Sequence, residues 1–232
     1  MKKCSVILLA GGVGARMGTS MPKQFLQINN KIIARYSFDL LTDMPEIAEI
    51  IVVCAPPYRH LFETSQTKVA IKFALPGERR QDSVYHGFQL VSSHTELVVI
   101  HDAARPLISV EIVRRVAEAA HRYGAATAGV PVKFTIKESD GVSFVKKTPD
   151  RSRLWEIQTP QALKPDLLKQ GFKKATEDGV TVTDDVALAE LLQHKVKIVQ
   201  GCYTNLKVTT PDDLILTQQL LNARKETSVA KG

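Results

Sequence analysis

Ser5-Val6-Ile7-Leu8-Leu9-Ala10-Gly11-Gly12-Val13-Gly14-Ala15-Arg16 decides the fold: an apolar run that breaks directly into glycines. Residues 5–10 are apolar almost throughout, as expected of a parallel strand covered on both faces. Glycines placed right after such a strand let backbone N–H groups turn toward an anion without obstruction by Cβ. Two named phosphate motifs do not fit. A dinucleotide fingerprint counted from Gly12 and Gly14 needs its third glycine where Met17 stands, and a Walker loop counted from Gly11 meets Arg16, Met17 and Gly18 in place of Gly-Lys-Ser/Thr. What remains is a glycine turn with two cations, Arg16 and Lys23, in one loop. That combination suits a triphosphate whose charge migrates during transfer, although composition also allows a surface loop with solvated cations.

Outward from this stretch, short β-branched runs at 50–55, 71–75, 97–101, 126–132 and 196–200 read as further strands. Between them lie segments of helical period at 32–42, 83–93, 165–177, 184–193 and 211–224. The clearest helix follows Ser109: Ile112, Val113, Val116, Ala119, Ala120 and Tyr123 keep a 3.6-residue stripe, Ser109 supplies the N-cap and Gly124 the stop. Strand–helix alternation with short joints predicts an α/β fold, a single doubly wound and mostly parallel sheet over residues 1–232. Two stretches break the rhythm. Residues 10–27 form an unusually long connection, a frequent mark of function. Asp140-Gly141, between short alternating segments at 135–137 and 142–145, predicts a hairpin inside an arm at about 133–155 that projects from the sheet. Residues 225–232 read as a frayed polar tail.

Composition narrows the function. Of 232 residues, 44% are hydrophobic and 24% charged, which is ordinary for a soluble protein. No apolar run approaches the roughly 20 residues a membrane helix needs, and the early run at 6–10 is too short for a signal-peptide core, so a cytoplasmic protein is expected. Cys4, Cys54 and Cys202 are far apart and lie in or beside apolar runs, which predicts buried free thiols. A net charge of +7 points to anionic ligands. Nucleic acid is disfavoured, because Arg114-Arg115, Lys146-Lys147 and Lys173-Lys174 are scattered and aromatic residues make up only 6%.

The order of motifs carries a resemblance. Leu9-Ala10-Gly11-Gly12-Val13-Gly14-Ala15-Arg16-Met17 followed by Met21-Pro22-Lys23-Gln24-Phe25 resembles the nucleotidyltransferases that activate sugar phosphates. The spacing to Pro-Lys-Gln looks like the 2-C-methyl-D-erythritol 4-phosphate cytidylyltransferase branch. In the same order come Gly77 with Arg80, Asp82 and Ser83; His101-Asp102-Ala103-Ala104-Arg105-Pro106; Asp150-Arg151 before Leu154-Trp155; Gln158-Thr159-Pro160-Gln161; Val182-Thr183-Asp184-Asp185; and Asn205-Leu206-Lys207-Val208-Thr209.

The resemblance implies a Rossmann-like nucleotidyltransferase that moves the cytidylyl group of CTP onto a sugar-alcohol phosphate and releases pyrophosphate. Arg16, Lys23 and Lys207 would stabilise the transition state. Ala10, Gly11, Gly12, Gly77, Arg80, Ser83, Asp102 and Ala103 would bind CTP, with Asp102 also the residue for Mg²⁺ or another divalent cation. Ser83 reads in addition as the N-cap of its helix. Thr135, Arg151, Thr159 and Thr183 would bind the acceptor, and the arm would reach into a second subunit of a homodimer. His101 reads as a strand residue and not a base, because an acceptor phosphate dianion is already ionised. One departure is Phe134, which stands where the family often has Asp; in a strand it would face away from Thr135. The nearest rival is a CDP-ribitol-type pyrophosphorylase acting on ribitol 5-phosphate, which shares the loop and the chemistry.

Overall fold

The computed structural model describes residues 4–12, 21–63 and 67–229. In chain order the elements are β1 (Cys4–Leu9), β2 (Gln27–Ile28), β3 (Lys31–Ile32), α1 (Ile33–Thr42), β4 (Ile47–Val53), β5 (Ala70–Ala74), α2 (Arg80–Phe88), β6 (Leu97–Asp102), α3 (Val110–Tyr123), β7 (Ala125–Pro131), β8 (Glu138–Ser139), β9 (Val145–Lys147), β10 (Trp155–Leu163), α4 (Pro165–Glu177), α5 (Ala187–Glu190), β11 (Lys197–Gln200) and α6 (Pro211–Val229). Seven strands form one sheet in the order β11-β7-β10-β6-β1-β4-β5. All pairings are parallel except those of β10, which runs antiparallel to both β6 and β7.

The side-chain period of two explains the two layers of helix. In β1, Val6 and Leu8 point to the cluster that holds Phe38 of α1 and Val113 of α3, while Ile7 joins Val84 of α2 and Phe172 of α4 on the other face. β4 and β6 divide in the same way, with Ile50, Val52, Leu97 and Val99 on one face and Ile51, Val53, Val98 and Ile100 on the other. Each such fully buried side chain stabilises by about 1.5–3 kcal/mol relative to exposure. A third cluster of Ile28, Ile33, Leu107, Val208 and Leu221 docks α6.

The mostly parallel α/β sheet is as predicted, and α3 is bounded as expected: the Ser109 hydroxyl accepts from the Ile112 N–H, and Gly124 ends the helix at φ 89°. Cys4 and Cys54 are buried and free, with burial pushing both thiols up to about 11, while Cys202 is only half-buried. Five expectations need correction. α2 begins at Arg80, three residues early, because the Asp82 carboxylate takes the Arg79 N–H and guanidinium. Ser83 therefore lies inside the helix and is not its N-cap. The helix expected at 184–193 shortens to α5 within a series of turns. The hairpin pairs β8 with β9, with a longer loop, because Asp140 Oδ1 accepts from both Val142 and Phe144 N–H groups. Phe134 and Thr135 precede that hairpin outside any strand, so the opposite-face argument does not apply to them. Finally, α6 runs on through 225–229, where a frayed tail was expected. β10 itself was not anticipated.

Candidate active site

β1 and β6 are neighbours that end together, with Leu9 opposite Asp102. From β1 the sheet grows outward through β4 and β5, and only then returns to β6 on the other side. This reversal is the switch point where open α/β sheets leave a crevice at their carboxyl edge. The glycine turn leaves β1 into that crevice. The Ala10 N–H donates to the Val53 carbonyl at 2.9 Å, and the buried Gln24 amide donates from Nε2 to the carbonyls of Ala10 (2.7 Å) and Gly12 (2.8 Å). Those carbonyls are thereby held away from an incoming anion. Any Cβ on Gly11 would lie 2.5 Å from Pro76 Cβ, and one on Gly77 would collide with Asp82. Across the crevice the Gly77 N–H donates to Ser83 Oγ at 2.9 Å, and that hydroxyl donates to the Arg79 carbonyl at 3.2 Å.

Asp102 is the electrostatic centre. Its carboxylate meets Lys207 Nζ at 2.8 Å, Arg80 at 3.3 Å and Arg105 Nε at 3.9 Å. Burial disfavours its charge, but the three cations outweigh burial and hold the carboxyl well below the usual carboxylate range. Beneath it, the Thr159 hydroxyl oxygen accepts from the Asp102 N–H (3.1 Å) and lies 3.0 Å from His101 Nδ1. His101 Nε2 faces the Arg105 carbonyl at 3.3 Å. Burial pushes the imidazole down from 6.5 to about 4. A neutral ring that donates from Nε2 and accepts from Thr159 satisfies every contact. Such a histidine orients Asp102 and has no free nitrogen for base catalysis.

A cleft of about 400 Å³ gathers eight of the expected residues into one lining: Gly11, Gly12, Lys23, Gly77, Arg80, Ser83, Asp102 and Lys207. Ala10 and Ala103 are buried immediately behind the wall, and Thr159 lies buried below Asp102 with its hydroxyl committed as above. Thr135, Arg151 and Thr183 are exposed and do not line the cleft; Arg151 Nη1 donates to the Lys133 carbonyl at 2.8 Å. Arg16 lies outside the described residues. The lining also contains Gln24, Glu78, Arg79, Ala104 and Thr209, to which sequence reasoning gave no role. Thr209 carried a readable signal, since its N–H and hydroxyl both donate to Asp213 at 2.7 Å as the chain turns into α6. Arg79 carried none: it bridges Asp82 and Thr181, a partner about a hundred residues away.

The family model for 2-C-methyl-D-erythritol 4-phosphate cytidylyltransferase matches residues 4–223. A relative in Oryza sativa subsp. japonica, the chloroplastic 2-C-methyl-D-erythritol 4-phosphate cytidylyltransferase, is 52% identical over 96% of this chain and 76% of its own length. The enzyme of that name in Desulforamulus reducens is 40% identical over 94% and 95%. The crystal structure of 4-diphosphocytidyl-2C-methyl-D-erythritol synthase from Anaerococcus prevotii superposes with a TM-score of 0.84 at 28% identity, covering 95% of this chain and 99% of that one. By sequence and by fold, the chain belongs to the 2-C-methyl-D-erythritol 4-phosphate cytidylyltransferase family.

Proposed function

We infer that this chain transfers the cytidylyl group of CTP to 2-C-methyl-D-erythritol 4-phosphate, giving 4-diphosphocytidyl-2-C-methyl-D-erythritol and pyrophosphate, a step toward isoprenoid precursors. The observation that carries the reading is the convergence of Lys23, Arg80 and Lys207 with the glycine turn around Asp102 in one cleft at the switch point. Two anions must meet there, because the acceptor phosphate attacks the α-phosphorus of CTP while pyrophosphate leaves in line. Catalysis is then mainly positioning and charge neutralisation. Lys23 and Lys207 face the α-phosphate, with Arg16 assigned to the leaving phosphates. The Gly77 and Ser83 edge takes the base, where backbone groups can match the carbonyl and amino positions of cytosine. No general base is required, in keeping with a buried His101.

Asp102 fits a divalent cation in one respect. Mg²⁺ commonly takes one or two protein carboxylates and fills its shell from substrate phosphates and water, and among the described residues no group of three acidic, His or Cys side chains converges to offer more. Bound there, Mg²⁺ would neutralise triphosphate oxygens.

The acceptor residues Thr135, Arg151 and Thr183 stand apart from the cleft, and the arm exposes Phe134, Val142 and Phe144. Both features support a homodimer in which one subunit's arm completes its partner's site, with Arg151 as a planar donor to the acceptor phosphate. Among the described residues no helix is long and apolar enough to cross a membrane.

A pyrophosphate-release assay with CTP tests the reaction. Turnover is expected with 2-C-methyl-D-erythritol 4-phosphate; turnover with ribitol 5-phosphate alone would transfer the chain to the rival activity. Undiminished turnover in the presence of a chelator would contradict the metal.

A further inference from the structure

β10 carries two buried glutamines, Gln158 and Gln161, that no role above uses. Gln161 spends its whole side-chain amide. Oε1 accepts from the N–H groups of Asp185 (2.8 Å) and Val186 (3.0 Å), and Nε2 donates to Asp184 Oδ2 (3.1 Å) and the Gln158 carbonyl (3.3 Å). The turn before α5 is thus held on β10. That turn delivers the buried Asp185 carboxylate, which takes Arg80 in a two-pronged grip, Nη1 at 2.7 Å and Nη2 at 2.8 Å. The same guanidinium reaches Asp102 only at 3.3 Å. Asp185 is therefore the anchor that sets where Arg80 sits in the cleft.

Gln158 does the corresponding work on the other side of Asp102. Nε2 donates to the Cys202 carbonyl (2.8 Å), while Oε1 accepts from the Cys202 N–H and Asn205 Nδ2, both at 3.3 Å. The side-chain amide pairs with a peptide unit as a neighbouring strand would, at a place where any Cβ on Gly201 would run into Gln158 Oε1. Asn205 Nδ2 also donates to the Thr159 carbonyl (2.9 Å), and the Asn205 carbonyl accepts from Arg105 Nη1 (2.7 Å). With the Val208 N–H bound to the Ala104 carbonyl at 2.8 Å, Lys207 is clamped on both flanks.

We propose that Gln158 and Gln161 are positioning residues for cytidylyl transfer: Gln158 fixes the loop that presents Lys207, and Gln161, acting through Asp185, fixes the guanidinium of Arg80. This rests on the assignment of Arg80 and Lys207 to the nucleotide cleft. Between the β7 pairings of Ile157 and Gln161, β10 holds two residues more than β7 does, and that irregularity lies where the two side chains take up their tasks. A glutamate at 161 would keep the acceptor but set an oxygen against Asp184, so even this near-isosteric change should release the turn.

The test is steady-state kinetics on the full chain, with thermal unfolding beside it. Gln161→Leu, Gln161→Glu and Asp185→Asn are each expected to raise the KM for CTP about tenfold and leave kcat within about threefold, whereas Gln158→Leu lowers kcat about tenfold with little change in that KM. The double variant Gln161→Leu/Asp185→Asn should be no worse than either single one, because both act through one contact. If Gln161→Leu does not fold, Asp185→Asn carries the same split. Arg80→Ala serves as the reference. If it raises the KM for CTP while the Gln161 and Asp185 variants do not, or if kcat and KM change only in step with the fraction unfolded, the proposal is overturned. If Arg80→Ala leaves the KM for CTP unchanged, the underlying assignment of Arg80 fails and the proposal with it.

Discussion

Around Asp102, side chains hold one another in place: Lys207 and Arg80 on its carboxylate, Thr159 on its backbone, His101 under Thr159, Asp185 on Arg80. Between 133 and 153 the chain does the opposite, leaving Phe134 77%, Val142 73% and Phe144 74% exposed and pairing only a short hairpin. The cleft is preorganised within one chain, so its electrostatics need little rearrangement when CTP arrives. The arm is held by exposed contacts instead, such as Glu138 with Lys146 and Lys147 and Arg151 with the Lys133 carbonyl. Its exposed apolar side chains are what a surface meant for another surface would carry, in keeping with the proposed dimer. Nucleotide binding and acceptor binding should therefore fail separately and by different kinds of mutation.

The largest effect is expected in the cleft. Lys23→Ala should lower turnover by about a thousandfold, the scale of losing a donor to developing charge, with the unfolding temperature nearly unchanged. Near-normal turnover would remove Lys23 from the mechanism. In the arm, Arg151→Ala should raise the acceptor KM about tenfold or more while leaving the KM for CTP alone; a loss confined to CTP would mean that the two regions had been assigned in reverse. Phe134→Ser combined with Phe144→Ser should weaken self-association by about 2–4 kcal/mol if these rings anchor the interface. Sedimentation would then show monomer, with thermal unfolding of the sheet unaltered; an unchanged oligomeric state breaks the contrast.

The smallest effect is one of pH, and it belongs to the cleft alone. His101 binds its proton at about 4 in the fold against 6.5 ordinarily. Between those values the unfolded chain holds the proton and the native chain does not. Stability should therefore fall as pH drops from 6.5 toward 4. Denaturant titrations of His101→Gln should show a flatter dependence across that window, and an identical slope would mean that another group is responsible.

How much of this the sequence disclosed follows from the range of the interactions. β1 and α3 are legible because an apolar run, a Ser109 cap and a Gly124 stop are all local signals. The glycine turn and Asp102 are legible because one follows a strand and the other ends one. β10 is not. Gln158, Thr159, Pro160 and Gln161 interrupt both periodicity and hydrophobicity, proline argues against a central strand, and apart from one Gln161–Gln158 contact their side chains are satisfied by partners 23 to 58 residues away. Gln24 is hidden because its role rests on how its own long loop folds back, onto carbonyls 14 and 12 residues earlier. The start of α2 misled because Ser83 is the better cap by residue type, and the Asp82–Arg79 contact overrides that preference.

The division of labour between cleft and arm is tested most directly by subunit mixing. Lys23→Ala leaves the arm intact, and Arg151→Ala leaves the cleft intact. At limiting acceptor Lys23→Ala should be nearly inactive and Arg151→Ala should keep about a tenth of wild-type activity or less. If the arm of one subunit completes the cleft of its partner, random mixed dimers regain one whole site in half of the assemblies, and the mixture should recover about a quarter of wild-type activity. A mixture no more active than the mean of its parents would contradict that division and place Arg151 with the cleft of its own chain.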